Sequence, residues 1–297
     1  MDYLDHFYQH HQDADIIVIQ HDIEFIHPEF LFHNFKKQVK CLYTVDDPHR
    51  SYELLTPNIW AYDCCAYISP SYNQSFTMDS FVNTCFGKPS HWLPLCMSVQ
   101  APYPYDHFTQ DELLSYFTRE KEGLIYCGAY YKTKASRLLE IMANCPRQLT
   151  ASIYGNFPFL GVPFAVNALF NAGRFCRPRY LTRQSLTKLY KEAAIGVNMH
   201  LSTPAQETGN MRMYEYALYG VTQLCDSSQW SAAQTIFTHE HDILLYESMD
   251  QLYEYLHDLH NNPVFRAKLA LNAYRTVTCK YSYLHQLESF GLWLTSL

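Results

Sequence analysis

Glu207-Thr-Gly-Asn-Met-Arg-Met-Tyr-Glu215 is the segment from which the architecture of this chain is most readily inferred. The apolar run 194–198 precedes it, and Gly220 and a second apolar run, 221–224, follow it. This order indicates a strand, an acidic loop that contains glycine, a short helix, a glycine and a second strand. Such a βαβ unit places its first loop at the carboxyl ends of parallel strands, where doubly wound proteins bind their ligands.

The spacing of residues within this unit predicts a helix that begins after Asn210. We expect Asn210 to cap the helix by accepting a hydrogen bond from an early backbone N–H, and Met211, Tyr214 and Leu218 to face the core. Gly220 falls where a left-handed residue ends a helix. Because the start of a helix carries unpaired N–H groups and a partial positive charge, the unit predicts an anion site flanked by carboxylates.

A simpler interpretation of the same residues remains open at this point. Arg212 and Glu215 lie three residues apart and would form a solvent-exposed pair on the helix, worth about 0.2–0.5 kcal/mol. In the alternative, Glu207 and Glu215 flank a bound diphosphate and accept hydrogen bonds from sugar hydroxyls.

Composition indicates a folded protein of two ordinary domains. The chain has 297 residues, of which 48% are hydrophobic and only 17% charged. The formal net charge of −7 and the lack of a dense basic stripe disfavour non-specific binding to nucleic acid. No apolar run reaches the roughly 18 residues of a membrane span, and the polar N-terminus does not resemble a signal peptide, so we expect a cytoplasmic protein.

The cysteines and histidines do not predict a metal site. None of the ten cysteines falls in a Cys-x-x-Cys pair, and we expect most of them to be reduced core residues. The pairs His10-His11 and His239-Glu-His241 lack further ligands at a recognisable spacing. We therefore expect neither a metal nor another cofactor.

Short apolar runs alternate with helical patterns along the chain, which predicts parallel sheets buried on both faces. Predicted strands cover residues 16–19, 40–45, 66–68, 92–95, 123–127, 149–154, 194–198, 221–224 and 243–246. Predicted helices cover residues 28–38, 72–83, 133–144, 185–192, 211–219, 249–260 and 263–276. We expect two Rossmann-like domains, residues 1–105 and 106–280, with parallel sheets facing across a cleft, and a C-terminal helix in 281–297 that packs back on the first domain.

Several segments resemble a known family in their order and spacing: Asp46-Asp-Pro48, Tyr126-Cys-Gly128, Ile153-Tyr-Gly155, Ile195-Gly-Val-Asn-Met-His200, Gly209-Asn-Met-Arg-Met-Tyr-Glu-Tyr-Ala217, and residues 238–245 with the predicted helices 249–260 and 263–276. The family is that of the GT-B glycosyltransferases of the spore-maturation protein CgeB type, related to retaining glycosyltransferase family four. The resemblance implies transfer of a sugar from a nucleotide-diphosphate donor to a hydroxyl of a glycan, a protein or a small molecule. It also implies metal-independent chemistry and front-face attack, in which the leaving phosphate helps to accept the proton.

The resemblance further implies roles for donor-site residues. Glu215 would accept hydrogen bonds from the ribose hydroxyls, and Glu207 would lie beside the donor sugar. The remaining donor-site residues would contact the diphosphate or, for Tyr180, the base; they are Gly209, Asn210, Arg212, Gly128, Lys134, Arg137 and Tyr180. Lys134 or Arg137 would neutralise the leaving group, although both would equally suit a solvated helix face.

Asp46, Asp47 and His49 follow the predicted strand 40–45 and are candidates for orienting or deprotonating the acceptor. Alternatively, Asp46-Asp-Pro48 is only a turn and helix-start signal. The pair His21-Asp22, after the first strand, is a second candidate.

The first predicted strand begins at Ile16, so less sequence precedes it than in the family. We therefore expect a first domain shortened at its N-terminus: either a minimal acceptor domain, or one whose cleft a second copy, a partner subunit or the substrate completes. Two alternative functions follow: a non-catalytic protein that binds nucleotide sugars or acts as a scaffold, and a glycosyltransferase that modifies DNA bases. The acidic balance argues against the second.

Overall fold

A computed structural model describes residues 3–20, 26–44, 55–68, 71–73, 76–96, 103–128, 134, 137–138, 140–141, 144–146, 148–154, 181–199, 210–227 and 236–297. The named elements are, in chain order, α1 (Tyr3–His11), β1 (Ile16–Gln20), α2 (Pro28–Asn34), β2 (Val39–Thr44), β3 (Cys64–Tyr67), β4 (Ser71–Asn73), β5 (Phe76–Thr77), α3 (Met78–Phe86), β6 (Ser90–Trp92), α4 (Gln110–Arg119), β7 (Glu122–Cys127), β8 (Ala151–Tyr154), α5 (Arg183–Glu192), β9 (Ala193–Asn198), α6 (Met211–Leu218), β10 (Thr222–Asp226), β11 (Leu244–Tyr246), α7 (Met249–Asn261), α8 (Pro263–Lys280) and α9 (Tyr283–Thr295).

These elements form two compact units, each built on a parallel sheet. The first unit takes the described residues up to Leu95 and those from Leu284 onward, and the second takes those from Cys96 to Tyr283. The prediction of an α/β protein with two parallel sheets is confirmed.

The first unit contains a four-stranded sheet in the order β1-β2-β3-β6. Strand β3 is buried along its whole length, as its uninterrupted apolar sequence predicts. Helix α9 covers part of this sheet, because its Phe290 and Leu294 pack in one cluster with Cys41, Cys64 and Leu93.

The helix predicted at 72–83 was placed wrongly at its start. Residues Ser71–Asn73 form a strand, and α3 begins only at Met78. The boundary follows from local chemistry, because the Thr77 side chain accepts a hydrogen bond from Ser80 N and so caps the helix. At the other end, Gly87 adopts a φ of 62° as the left-handed C-cap.

The second unit contains a five-stranded parallel sheet in the order β11-β10-β9-β7-β8. The chain builds outward from β7 to β8 on one side, then returns to place β9, β10 and β11 on the other. The strand order therefore reverses between β7 and β9. In open α/β sheets, this reversal opens a crevice at the carboxyl ends of the two strands, and ligands bind there.

The unit from β9 to β10 folds as its sequence predicts. All six residues of β9 are buried, α6 spans Met211–Leu218, and Gly220 follows with a φ of 62°. Tyr214 and Leu218 face the core as expected, whereas Met211 is only partly buried. No helix within the described ranges is long and apolar enough to cross a bilayer.

Candidate functional site

The crevice that the strand order predicts between β7 and β9 begins where their ladder of hydrogen bonds ends. The last paired residues are Ile125 and Gly196, and beyond them the hydroxyl of Tyr216 lies between the strands. That hydroxyl accepts a hydrogen bond from Cys127 N at 3.4 Å and donates one to Ile125 O at 3.3 Å. The Tyr216 ring crosses Gly196 so closely that a Cβ atom there would lie 2.6 Å from it. Helix α6 thus holds the strands apart through one side chain.

Arg212, in the first turn of α6, reaches over the mouth of this crevice. Its Nη1 donates a hydrogen bond of 2.9 Å to Oδ1 of Asn198, the last residue of β9. Its guanidinium lies 4.8 Å from the centre of the Tyr126 ring on β7. Its Nη2 lies against Gly128, and a Cβ atom at that position would overlap it. Arg212 therefore spans the ends of both strands at the point where the strand order reverses.

Arg212 makes no ion pair with a carboxylate among the described residues; its guanidinium donates a hydrogen bond to Asn198 and lies against the Tyr126 side chain. The interpretation of Arg212 and Glu215 as an exposed surface pair is therefore wrong. Both side chains are partly buried, and each contacts a different neighbour. A partly buried guanidinium without a carboxylate partner is a costly arrangement unless an anion joins it.

Asn210 occupies the N-cap position of α6, but it does not cap the helix as predicted. Its side chain makes no hydrogen bond to a helix amide; instead its Nδ2 donates to Asn198 Oδ1 at 2.9 Å. The first backbone amides of an α-helix have no intrahelical acceptor, so those of α6 keep their capacity to bind an anion. Asn198 is thus the shared acceptor that ties Asn210 and Arg212 to the end of β9.

Four buried polar atoms along this edge of the sheet have no hydrogen-bond partner within the described part of the chain. They are the hydroxyls of Tyr126 and Tyr246, Nδ2 of Asn198 and Oδ1 of Asn210. Buried polar atoms in native proteins are almost always paired with protein or with an ordered molecule. Their concentration at one edge of one sheet indicates a polar ligand or ordered water in the crevice.

Two further cations predicted for the site lie near the same edge. Lys134 is 9% exposed, and its Nζ donates a hydrogen bond of 2.7 Å to Met199 O, just after β9. Its interpretation as a solvated helix residue is therefore wrong. Arg137 is more exposed, and its Nη1 lies 3.9 Å from Oδ2 of Asp226, the last residue of β10. Lys134 and Arg137 thus add positive charge beside the ends of β9 and β10.

Glu215 lies one turn further along α6 than Arg212. Its Oε2 accepts a hydrogen bond of 3.2 Å from the hydroxyl of Tyr190 on α5. Burial raises the pKa of the Glu215 carboxyl, while the Tyr190 hydrogen bond and the charges of Arg212 and Arg183 act in the opposite direction. A partly buried carboxylate with one oxygen committed has acceptor capacity left for a ligand hydroxyl.

The remaining predicted site residues, Glu207, Gly209, Tyr180, Asp46, Asp47 and His49, and the pair His21-Asp22, lie outside the described residues. Four residues of the candidate site were not predicted from the sequence: Asn198, Tyr126, Tyr190 and Tyr246. A signal existed for two of them, because Tyr126 and Asn198 lie within the last two residues of buried apolar strands. Within the described ranges, no three His, Cys, Asp or Glu side chains come together as a metal site would require.

The second unit is a doubly wound α/β domain with cationic side chains at the carboxyl edge of its sheet, and comparison with known proteins identifies the class. The sequence model of the family described as "Glycosyl transferase-like" matches residues 132–290, more than half of the chain. The chain therefore belongs to the glycosyl transferase-like family. The prediction of a glycosyltransferase is confirmed at this level, and the CgeB type stays a prediction. A search of curated proteins found no significant match.

Solved structures with a similar fold include several that contain nucleotides or sugars. HepE of Anabaena in complex with UDP-glucose has a TM-score of 0.64 and 13% identity, covering 99% of this chain and 82% of HepE. A point mutant of S. aureus TarM in complex with fondaparinux, alpha-GlcNAc-glycerol and UDP has a TM-score of 0.68 and 13% identity, covering 98% of this chain and 58% of TarM. Sucrose-phosphate synthase of Thermosynechococcus elongatus has a TM-score of 0.64 and 12% identity, covering 98% of this chain and 76% of the synthase. The shared fold is GT-B.

Proposed function

We propose that the second unit binds the diphosphate of a nucleotide sugar in the crevice between β7 and β9, and that the chain transfers the sugar to an acceptor hydroxyl. One observation carries this proposal: Arg212, without a carboxylate partner among the described residues, lies over the carboxyl ends of both strands. A diphosphate supplies the missing negative charge, and it presents oxygen acceptors to the guanidinium and the first amides of α6.

In this proposal the protein's own cations stabilise the leaving group. Charge accumulates on the diphosphate as the bond to the sugar breaks, and Arg212, Lys134 and Arg137 are the side chains that oppose it. Electrostatic groups fixed before the reaction are often the largest catalytic contribution, and one hydrogen-bond donor is worth about 10²–10³ in rate. With such groups the reaction needs no metal.

The partly buried carboxylate of Glu215 is proposed to accept hydrogen bonds from the ribose of the donor. Its depth in the unit, one turn beyond Arg212, suits a group joined directly to the diphosphate. Glu207 is proposed to lie beside the sugar, and Tyr180 beside the base. For the acceptor, Asp46, Asp47 and His49 remain the candidates that orient its hydroxyl.

The donor is best sought first among UDP-sugars, because HepE and TarM were each determined with UDP or a UDP-sugar. We propose a retaining outcome by front-face attack, with a glycan, protein or small-molecule acceptor. The reaction is proposed to take place in the cytoplasm, where nucleotide sugars are available.

The test is a thermal-shift screen of UDP-, GDP-, ADP- and dTDP-sugars, followed by assay of nucleoside diphosphate release with and without acceptors. A ligand at 100 times its dissociation constant stabilises the folded state by about 2.7 kcal/mol, so a true donor gives a clear shift. EDTA should leave turnover unchanged, and NMR of the product should show the donor's anomeric configuration. Absence of any shift across the panel would reject the proposal.

A further inference from the structure

The Glu215 carboxylate is held on one side by a single tyrosine hydroxyl. Tyr190 donates a hydrogen bond of 3.2 Å to Oε2, and Oε1 makes no hydrogen bond to a described residue. Tyr190 comes from the last turns of α5 and Glu215 from the middle of α6, so the bond joins two helices. Among the residues that the structure describes, one carboxylate oxygen is thus committed to the protein and the other is available.

Tyr190 itself is fixed by its surroundings. Its ring is 2% exposed and packs edge-on against Tyr216, with ring centres 5.2 Å apart and an angle of 82°. Tyr219 packs against its other side at 5.8 Å. The backbone carbonyl of Tyr190 accepts a hydrogen bond of 3.0 Å from the buried Nζ of Lys121, which also binds the carbonyls of Lys191 and Ala193. A side chain held at both its ring and its backbone cannot readily follow a moving partner.

We propose that Tyr190 is a positioning residue that aims the free oxygen of Glu215 at the ribose, and that it thereby makes the protein select ribonucleotide over 2′-deoxyribonucleotide donors. The inference rests on the proposed function, in which Glu215 contacts the ribose. Because Tyr190 is fixed, its hydrogen bond holds the Glu215 carboxylate in one orientation relative to the two neighbouring ribose hydroxyls. A sugar without the 2′-hydroxyl leaves an acceptor unpaired in a partly buried site, and sites of that kind discriminate strongly.

The charges around Glu215 agree with this role. Tyr190 and Arg183 face it from α5, and Arg212 faces it from its own helix. Each of the three favours the ionised carboxylate, whereas burial disfavours it. An ionised carboxylate accepts two hydrogen bonds at each oxygen. Removing the Tyr190 hydroxyl is therefore expected both to free the carboxylate to rotate and to raise the pKa of Glu215.

The experiment is calorimetric titration of the full chain with UDP, GDP and ADP and with their 2′-deoxy counterparts, for wild type, Tyr190→Phe and Tyr219→Phe. Tyr219→Phe is the matched control, because it removes a hydroxyl from the same cluster that contacts Thr187 and not Glu215. Tyr190→Phe should weaken the preferred ribonucleotide by about 2- to 10-fold and reduce its preference over the deoxy form. Tyr219→Phe should leave both the ribonucleotide affinity and the preference over the deoxy form unchanged.

A second readout does not depend on binding. In ¹³C-glutamate-labelled protein, the Glu215 side-chain carbon is assigned by its loss in Glu215→Gln and titrated with pH. The pKa should be higher in Tyr190→Phe than in wild type and unchanged in Tyr219→Phe. If Tyr190→Phe does not fold, Glu215→Asp replaces it, because the shorter side chain keeps the charge and withdraws from Tyr190; it should lose the same preference.

The outcomes separate this inference from the proposed function. If Tyr190→Phe keeps wild-type affinity, preference and pKa while Glu215→Gln binds weakly, the positioning role is overturned and the donor site stands. If Glu215→Gln binds as wild type does, or no nucleotide binds wild type, then the donor role of Glu215 fails and the role of Tyr190 fails with it.

Discussion

The guanidinium of Arg212 lies against Gly128, and the space that a Cβ atom would need at residue 128 is taken by Nη2. The two residues come from α6 and from the end of β7, so this contact joins the two sides of the crevice. A side chain at position 128 and the guanidinium in its present place therefore exclude each other.

Gly128→Ala is expected to displace the guanidinium and to lower nucleoside diphosphate affinity by about 10-fold or more, since a hydrogen bond to a charged group contributes about 1.5–3 kcal/mol. Calorimetric titration measures the effect. Gly291→Ala is the control, because a Cβ atom at Gly291 on α9 meets no atom within 4 Å. Equal affinity of Gly128→Ala and wild type would show that Arg212 does not need this position.

Gly196→Ala tests the origin of the crevice. A Cβ atom there would lie 2.6 Å from the Tyr216 ring, which is fully buried and cannot move aside without cost. Overpacking of this kind typically costs about 1–3 kcal/mol, so urea denaturation should show a loss of that size. A variant as stable as wild type would mean that Tyr216 does not pass over Gly196.

Because of Glu215, we expect the stability of the fold to decrease as pH rises. Its pKa is raised above its ordinary value of 4.5 chiefly by burial, so the folded state binds the proton more tightly than the unfolded state does. The free energy of unfolding should therefore fall as pH rises from about 4.5 through the folded-state pKa. Asp242, whose pKa is also raised by burial, contributes with the same sign.

Glu215→Gln removes the glutamate's share of that dependence. Denaturant unfolding between pH 4.5 and 7.5 should show the variant gaining stability over wild type as pH rises, while its nucleotide affinity falls. Glu254→Gln, on the exposed side of α7, controls for the loss of one negative charge. A variant that loses stability at neutral pH would contradict the sign of the shift.

Glu240 has a φ of 61°, the only positive value among the described residues other than glycine. Its side chain is 72% exposed, so the strain is not offset by packing. Glu240→Gly should stabilise the fold by about 0.5–1 kcal/mol, because the left-handed conformation costs an ordinary residue about 1–2 kcal/mol and glycine loses more entropy on folding. Glu247→Gly, at an ordinary φ, should destabilise it. A loss of stability in both variants would reject the explanation.

The sequence was sufficient for the parts of the fold that depend on local chemistry. The β9–α6–β10 unit follows from an apolar run, a helical spacing and a glycine with positive φ, all of which are local. The same locality explains the error at Asn210. We predicted a hydrogen bond between the Asn210 side chain and a nearby helix amide. In the structure the Asn210 side chain instead donates to Asn198, a buried acceptor outside the helix.

The arrangement of the site was not predictable from the sequence, because it depends on which strands become neighbours. Nothing local indicates that β7, which carries Tyr126, lies beside β9, which ends at Asn198, or that the strand order reverses between them. Tyr190 is a further example, since it is one of 25 tyrosines and only the packing of α5 beside α6 brings its hydroxyl to Glu215.

Arg212→Gln tests whether Arg212 binds the diphosphate of the donor. Calorimetric titration of UDP, GDP and ADP into wild type and into this variant compares a guanidinium with an uncharged amide that retains hydrogen-bonding capacity. We expect measurable binding of at least one nucleoside diphosphate to wild type and a loss of about 10- to 100-fold in the variant. Equal binding to the two proteins, at unchanged stability, would contradict it.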